Sequence, residues 1–214
     1  MNLNNHSSLE GKHALLSPSK YHWIFDDDAD FEKRFCSSYL ADVGTLLHNI
    51  ARKHIKFGYR LNKNDKRSII VELLDNGIPA RVIETIDFDN MYENICSYVN
   101  DCISFRMAPE VILYYSDICF GTADALNYDE KKRFLRIHDL KTGSTQARIE
   151  QLYAYTALFF LEYKYIKPGE TSIELRIYQK NDILIENPEA DTIVPIMDKI
   201  KHFSDIANRI RVNN

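Results

Sequence analysis

The sequence predicts an α/β protein in which helices flank a small central β-sheet. Three short runs rich in β-branched and aromatic residues follow one another between residues 111 and 141, and an alternating run follows at 172–179. Apolar residues with helical spacing lie on both sides of these runs, at 41–57, 91–106 and 146–165. An apolar fraction of 45% in 214 residues is normal for one globular domain.

The chain begins with a polar segment. Residues 1–12 lack the apolar core of a signal peptide, and we expect a disordered leader followed by a single domain over 13–214. Ser17 and Pro18 are typical of a helix start. The acidic run at 26–30 is expected to be a solvated loop.

A second region, residues 58–90, contains two short helical patterns and no recognisable chemistry. We interpret it as a helical insertion in the domain. Asn90 and Glu93 form a capping-box pattern, which predicts that a helix begins there and continues to about residue 106.

The β-type runs predict an antiparallel meander of three strands over 111–115, 117–126 and 133–141, with the last turn at 127–132. A helix over 146–165 follows. The alternating run at 172–179 is expected to add to the sheet. A closing helix is predicted over 193–211, capped by Asp191 or Thr192.

Two of these strands carry acidic residues that the fold can bring together. Asp139 and Lys141 are two positions apart, so they project from one face of a strand. A neighbouring strand can place Asp124 beside them, because cross-strand partners lie about 5 Å apart. Two carboxylates and an amine at strand ends suit a divalent cation with a phosphate beside it. The pattern therefore predicts a metal-dependent nuclease.

The acid–x–lysine spacing is common, and its context gives it weight. The sequence contains five such pairs. Only Asp139–Lys141 ends an apolar strand, follows an acid-bearing strand and precedes a Thr-Gly-Ser turn into a helix. The other four lie in the leader, in the turn at 129–132 or in a helical pattern, where positions i and i+2 do not share a face.

With these residues in place, the chain resembles the PD-(D/E)XK nuclease superfamily, in its RecB-like branch. The resemblance covers roughly residues 13–180, and within that branch it is greatest to a phage and prophage family and to CRISPR-associated exonucleases. It implies a restriction-endonuclease-like core, a small central mixed β-sheet flanked by helices. The matching segments, in order, are His13–Ser19, Gly44–His48, Gly121–Asp124, His138–Gly143 and Gln151–Tyr155.

The resemblance also implies a set of site residues and their roles. Lys141 holds the attacking water, and the helical pair Gln151 and Tyr155 lies beside the site. The expected catalytic residues are Asp124, Asp139, Lys141, Gln151 and Tyr155, and the expected metal ligands are His48, Asp124, Asp139 and the carbonyl of Leu140. Glu110 stays open between a further acid near the metal and a solvent-exposed strand cap.

The expected cofactor is Mg²⁺ or Mn²⁺, and a histidine ligand favours Mn²⁺ because imidazole is a softer donor than carboxylate. Some RecB-like enzymes hold an iron–sulfur cluster through a late group of cysteines. This chain has no cysteine after Cys119 and no C-x-x-C pair, so no iron–sulfur cluster is expected. Free thiols predict a cytoplasmic location, in the host if the protein is phage-encoded.

DNA is the expected partner, single- or double-stranded and bound at its ends. The net charge of −4 does not indicate a DNA-binding protein, so positive charge must be local, as at Lys63–Arg67 or Lys131–Arg133. The resemblance favours an exonuclease acting in phage recombination, replication or DNA processing, with a homo-oligomer and a recombination or replication protein as further partners. No membrane association is expected. An endonuclease, an RNA-directed nuclease and a non-catalytic DNA-binding or assembly module stay open.

Overall fold

The computed structural model describes residues 5–143 and 146–212. Residues 1–4 of the predicted leader and Ser144 of the predicted turn lie outside this range. The described chain contains seven α-helices and five strands. The helices are α1 (Asp28–Ser38), α2 (Leu40–Phe57), α3 (Lys66–Asp75), α4 (Ala80–Thr85), α5 (Phe88–Ser104), α6 (Glu150–Glu162) and α7 (Ala190–Val212). The strands are β1 (Ala108–Ser116), β2 (Cys119–Asp129), β3 (Phe134–Leu140), β4 (Ser172–Gln179) and β5 (Asp182–Glu186).

The five strands form one mixed sheet in the order β1-β2-β3-β4-β5. All neighbouring pairs are antiparallel except β3 and β4, which are parallel because α6 carries the chain back across the sheet between them. The predicted α/β class with a small mixed sheet between helices is confirmed, and the arrangement is compatible with a restriction-endonuclease-like core.

Each face of the sheet is covered by its own group of helices. One apolar core joins α2, α3, α4 and α5 to the sheet, and its buried side chains include Leu47, Leu73 and Ile95. The other joins α6 and α7 to the opposite face. Helix α6 is apolar on nearly all sides, as expected of a helix packed between a sheet and a second helix.

Several sequence-based boundaries are wrong for local reasons. The acidic run at 26–30 opens helix α1, because the Asp27 carboxylate accepts the N–H of Asp30 at 2.8 Å and caps it. Helix α5 begins at Phe88, capped by Asp87, three residues before the predicted capping box. Strand β2 continues to Asp129, through part of the predicted turn.

Strand β5 was not predicted. Among the described strands it pairs with β4 alone, so it forms an exposed edge of the sheet. Residues 58–90 contain the two short helices α3 and α4, and their apolar residues join the core. Their interpretation as an insertion stays a prediction. None of the described helices is both long and apolar enough to cross a bilayer.

The sheet divides at Asp124. The pairing of β2 with β3 runs from Asp129 to Ala125 and stops there. The pairing of β2 with β1 continues from that point to Cys119. The carboxyl-terminal end of β3 and the amino-terminal half of β2 therefore diverge, and the sequence-predicted site residues lie around this fork.

Candidate metal centre

The fork is held by a side chain. Where β2 leaves β3, the main-chain N–H of Leu140 has no strand partner on β2, and it donates to Asp124 Oδ2 at 2.8 Å. Asp124 therefore satisfies a backbone donor that the divided ladder leaves open. The side chain of Leu140 itself is buried in the core.

Helix α2 brings His48 to the same carboxylate. His48 Nδ1 lies 3.6 Å from Asp124 Oδ2, and the two side chains are 29% and 17% exposed. Gly44 lies one turn earlier on the helix. A Cβ atom at Gly44 would lie 2.9 Å from Thr142 Oγ1, so the glycine lets α2 approach the segment that follows β3.

Glu110 completes a group of three donors. Its neighbours on β1 pair with the neighbours of Asp124 on β2, so the two acids lie opposite each other. One ligand atom from each of His48, Glu110 and Asp124 can be chosen so that all three lie within 4.8 Å of one another, and this group could hold a metal ion. Glu110 has a φ of 54°, a left-handed conformation that is uncommon for a residue other than glycine.

Asp139 lies on β3 next to this group, but the structure does not place it in the same set of three donors. It is 3% exposed. Lys141 Nζ donates to Asp139 Oδ1 at 3.0 Å and to Gln151 Oε1 at 2.8 Å, so the ammonium bridges β3 and α6. Asp139 Oδ2 is buried and has no hydrogen-bond partner among the described residues, but Lys141 Nζ forms an ion pair with it at 2.9 Å.

The donor chemistry of the group fits a hard divalent cation. Two carboxylates and an imidazole offer oxygen and nitrogen donors, which suit Mg²⁺ and Mn²⁺. Asp139 Oδ2 is already compensated by the Lys141 ammonium at 2.9 Å, and it lies beside the group as a further carboxylate oxygen.

The pKa of Asp124 is raised, first by burial and then by the neighbouring acids. Burial raises its pKa from 3.8 to about 6, and the neighbouring carboxylates of Asp139 and Glu110 act in the same direction. The charge of His48 and the hydrogen bond from Leu140 N oppose the rise. A bound cation would offset the repulsion among the carboxylates and favour the ionised form of Asp124.

Tyr155 packs against the amino-terminal half of β2 and makes no hydrogen bond among the described residues. A Cβ atom at Gly121 would lie 3.0 Å from its ring atom Cε1, so Gly121 allows α6 to approach β2 three residues before Asp124. The sequence-predicted partner of Tyr155 on the helix, Gln151, contacts Lys141 instead. The two residues therefore act on different parts of the site.

A buried polar cluster lies on the opposite face of β3. His138 is fully buried, and its Nδ1 lies 3.2 Å from the Tyr178 hydroxyl and 3.7 Å from Cys102 Sγ. The Tyr178 hydroxyl donates to Asp101 at 2.8 Å. Burial, together with the charges of Arg176 and Arg136, lowers the pKa of His138 from 6.5 to about 3, so this imidazole is neutral.

The structure thus brings together most of the predicted residues in two adjacent groups. His48 and Asp124 belong to the first, and Asp139, Lys141 and Gln151 to the second. Leu140 contributes its N–H to the fork, and the role of its carbonyl as a ligand stays a prediction. Glu110 was left open by the sequence, because no motif surrounds it, and only the pairing of β1 with β2 places it opposite Asp124.

Comparison of the chain with protein-family models and with curated proteins finds no match. The resemblance to PD-(D/E)XK nucleases therefore depends on the motifs and on the geometry described above.

Proposed function

We propose that this protein is a metal-dependent nuclease that hydrolyses phosphodiester bonds in DNA. One observation carries the proposal. At the fork in the sheet, His48, Glu110 and Asp124 form a group that could hold a cation. Beside it lies the buried carboxylate of Asp139, which accepts a hydrogen bond from Lys141. Together these groups offer donors for a cation and a positive charge for a phosphate.

The ligand assignment follows from the donors. His48, Glu110 and Asp124 would hold the ion, and Asp139 Oδ2 would add a donor from β3. Mg²⁺ or Mn²⁺ fits these donors, and the imidazole favours Mn²⁺. When bound, the ion lowers the pKa of water and stabilises the negative charge that develops on the scissile phosphate.

Lys141 is the residue proposed to act on the reacting atoms. Its side chain is 29% exposed and its ammonium is fixed by Asp139 and Gln151, so it is oriented before substrate arrives. From this position it would hold the attacking water and offset negative charge on the phosphate. Gln151 is a positioning residue, because it contacts Lys141 and not the metal group.

Positive charge for the DNA backbone is local. Lys131, Lys132 and Arg106 line a groove of about 770 Å³, and the described residues offer none of the three an ion-pair partner. Arg136, Asp129 and Glu130 also line the groove, so its charged lining is basic by four residues to two. Each of the two predicted clusters also has a charge that is already paired, since Arg133 pairs with Glu170 and Lys66 with Asp89. The groove supports DNA as substrate, although the net charge of the chain is −4.

The proposal extends to an exonuclease that processes DNA ends in phage recombination or replication, acting as a homo-oligomer or with a partner protein. This part depends on the resemblance alone. The test is a cleavage assay on linear and covalently closed circular DNA and on RNA, with Mn²⁺, Mg²⁺ or EDTA. Lys141→Ala and Asp139→Asn are compared with the wild-type protein, and Lys199→Ala on α7 serves as a control outside the site.

We expect metal-dependent loss of linear DNA by the wild-type protein and the Lys199→Ala variant, and none by the two site variants. Cutting of closed circles would replace the exonuclease by an endonuclease, and cutting of RNA alone would change the substrate. If no nucleic acid is cut and calorimetry detects no Mn²⁺ binding, the proposed function is wrong.

A further inference from the structure

The hairpin of β1 and β2 extends beyond the fork and carries an exposed apolar surface. Four large apolar side chains, Ile112, Tyr114, Ile118 and Phe120, are between 47% and 66% exposed. We call these four residues the aromatic arm. Soluble proteins seldom expose several large apolar side chains side by side, and such a patch marks an interaction site.

The two aromatic rings of the arm form an ordered pair. Tyr114 and Phe120 are cross-strand partners, with ring centroids 6.3 Å apart and planes inclined by 28°. The Tyr114 hydroxyl donates to Asp117 at 2.7 Å, which fixes the orientation of that ring. The pair therefore presents two nearly parallel rings to solvent.

The arm is continuous with the metal centre. One side of β2 carries Phe120, Thr122 and Asp124, because every second residue of a strand shares a face. The intervening residues Gly121 and Ala123 face α6. Phe120 and Asp124 are four positions apart on an extended strand, a distance of about 13 Å. A ligand that contacts the rings can therefore continue to the site.

We propose that the aromatic arm binds unpaired nucleobases of a single-stranded nucleic acid whose backbone reaches the metal centre. This inference rests on the proposed function and names its substrate class. Aromatic side chains bind single strands by stacking on successive bases, irrespective of base identity. An unpaired strand offers such base faces, and a duplex hides them within its stack.

The arm offers stacking contacts and no phosphate contacts. Residues 107–130 contain five acidic residues and no lysine or arginine, so the phosphates of a bound strand must be neutralised by positive charge elsewhere. Pairing of β1 with a strand from a second copy is hindered at Tyr114, because its main-chain N–H already donates to the Glu162 carboxylate at 2.9 Å.

Binding is measured by fluorescence anisotropy in EDTA, which prevents cleavage. The probes are an unstructured single-stranded DNA, the same sequence as RNA, a blunt duplex and an oligomer of abasic sites. Phe120→Ala and Tyr114→Ala remove a ring. Tyr114→Phe keeps the ring without the hydroxyl, Phe120→Leu keeps apolar volume without an aromatic face, and Ile185→Ala removes an exposed apolar side chain at the other edge of the sheet.

We expect Phe120→Ala, Phe120→Leu and Tyr114→Ala each to weaken single-strand binding by about tenfold. The Tyr114→Phe and Ile185→Ala variants should bind like the wild-type protein, and the abasic oligomer should not distinguish any of them. Comparable effects on DNA and RNA binding would support stacking on the bases of either nucleic acid. Effects on one alone would identify that nucleic acid as the ligand.

Three results would overturn the inference. These are equal single-strand affinity in all variants, absence of single-strand binding by the wild-type protein, and a wild-type dimer in light scattering that Phe120→Ala converts to monomer. Mn²⁺-dependent hydrolysis of bis(p-nitrophenyl) phosphate needs no base contact and is measured in parallel. If the wild-type protein hydrolyses this phosphodiester but does not bind single strands, the nuclease proposal stands without the arm. If the wild-type protein does neither, the nuclease proposal is refuted too.

Discussion

Asp124 Oδ2 accepts the main-chain N–H of Leu140 at 2.8 Å, at the point where β2 and β3 part. The same oxygen lies 3.6 Å from His48 Nδ1, within the group that could hold a cation. The Asp124 carboxylate therefore has two contributions: it accepts the backbone N–H that has no partner on β2, and it offers a ligand for a metal ion. Its structural and chemical contributions are separable by substitution, because an amide keeps the acceptor and loses the charge.

The first prediction separates those contributions. Asp124→Asn retains an oxygen that can accept from Leu140 and removes a buried charge, so we expect no loss of stability in EDTA and loss of Mn²⁺ binding. Asp124→Ala leaves the Leu140 N–H without an acceptor, and we expect it to unfold about 1–3 kcal/mol more easily than the Asn variant. Urea unfolding and calorimetric titration with Mn²⁺ measure both. Equal stability of the two variants would contradict the structural role of the hydrogen bond.

The second prediction concerns stability against pH in EDTA. The pKa of His138 falls from 6.5 to about 3 on folding, so its contribution to stability rises with pH across that window and is lost as the pH falls. The pKa of Asp124 rises from 3.8 to about 6, so its contribution falls with pH across that window. Each has a limiting slope of about 1.4 kcal/mol per pH unit, and between pH 4 and 6 the two oppose each other.

Replacing Asp124 by Asn should expose the His138 contribution. We expect the free energy of unfolding of this variant to rise more steeply between pH 4 and 6 than that of the wild-type protein, by up to about 1.4 kcal/mol per pH unit. Saturating Mn²⁺ should have a similar effect on the wild-type protein, because the metal favours ionised Asp124. Parallel pH profiles of the two proteins in EDTA would contradict the opposed shifts.

The third prediction uses the left-handed backbone at Glu110, where φ is 54°. Glycine adopts this conformation without strain, whereas alanine keeps the strain of the wild-type residue. Both Glu110→Gly and Glu110→Ala remove the carboxylate, so both should weaken Mn²⁺ binding. The Gly variant should be more stable than the Ala variant by about 1 kcal/mol, measured by urea unfolding. A more stable Ala variant would show that the strain is absent in solution.

The fourth prediction concerns Gln151, whose Oε1 accepts from Lys141 Nζ at 2.8 Å. Gln151→Ala leaves Asp139 as the remaining partner of the ammonium, so Lys141 is less well oriented. We expect kcat for DNA cleavage to fall by about 10- to 100-fold, in line with the cost of misplacing a catalytic group, with little change in KM or in Mn²⁺ affinity. A change in Mn²⁺ affinity alone would assign Gln151 to the metal group instead.

The sequence predicted the sheet well because its strands carry a strong local signal. The three runs of the meander are rich in β-branched and aromatic residues and are separated by turn residues, and the structure confirms their antiparallel pairing. Strand β5 is short and at the edge, and its alternation over Asp182–Glu186 is too brief to stand out. Helix α1 was missed because an acidic run reads equally as loop or as a capped first turn.

The site was predictable where spacing determines geometry. Asp139 and Lys141 share a face of one strand, and the structure places their side chains 3.0 Å apart. Glu110 could not be assigned, because its contact with Asp124 depends on the pairing of β1 with β2, a register that no local pattern specifies. The fork itself also depends on tertiary structure, since β2 shows no sequence signal where it leaves β3.

The last prediction tests the contact between Gly121 and Tyr155, which places α6 against the amino-terminal half of β2. A methyl group at Gly121 would lie 3.0 Å from Tyr155 Cε1, closer than most real contacts. Gly121→Ala should therefore destabilise the protein by about 1–3 kcal/mol through overpacking. In a Tyr155→Ala background the same substitution should cost less, because the ring that it meets is gone, and this double-mutant cycle isolates the pair. Gly169→Ala, where a Cβ atom meets nothing within 4 Å, is the matched control and should be neutral. Equal costs of Gly121→Ala in both backgrounds would mean that the tyrosine ring moves aside freely, and the approach of α6 to β2 would then not depend on the glycine.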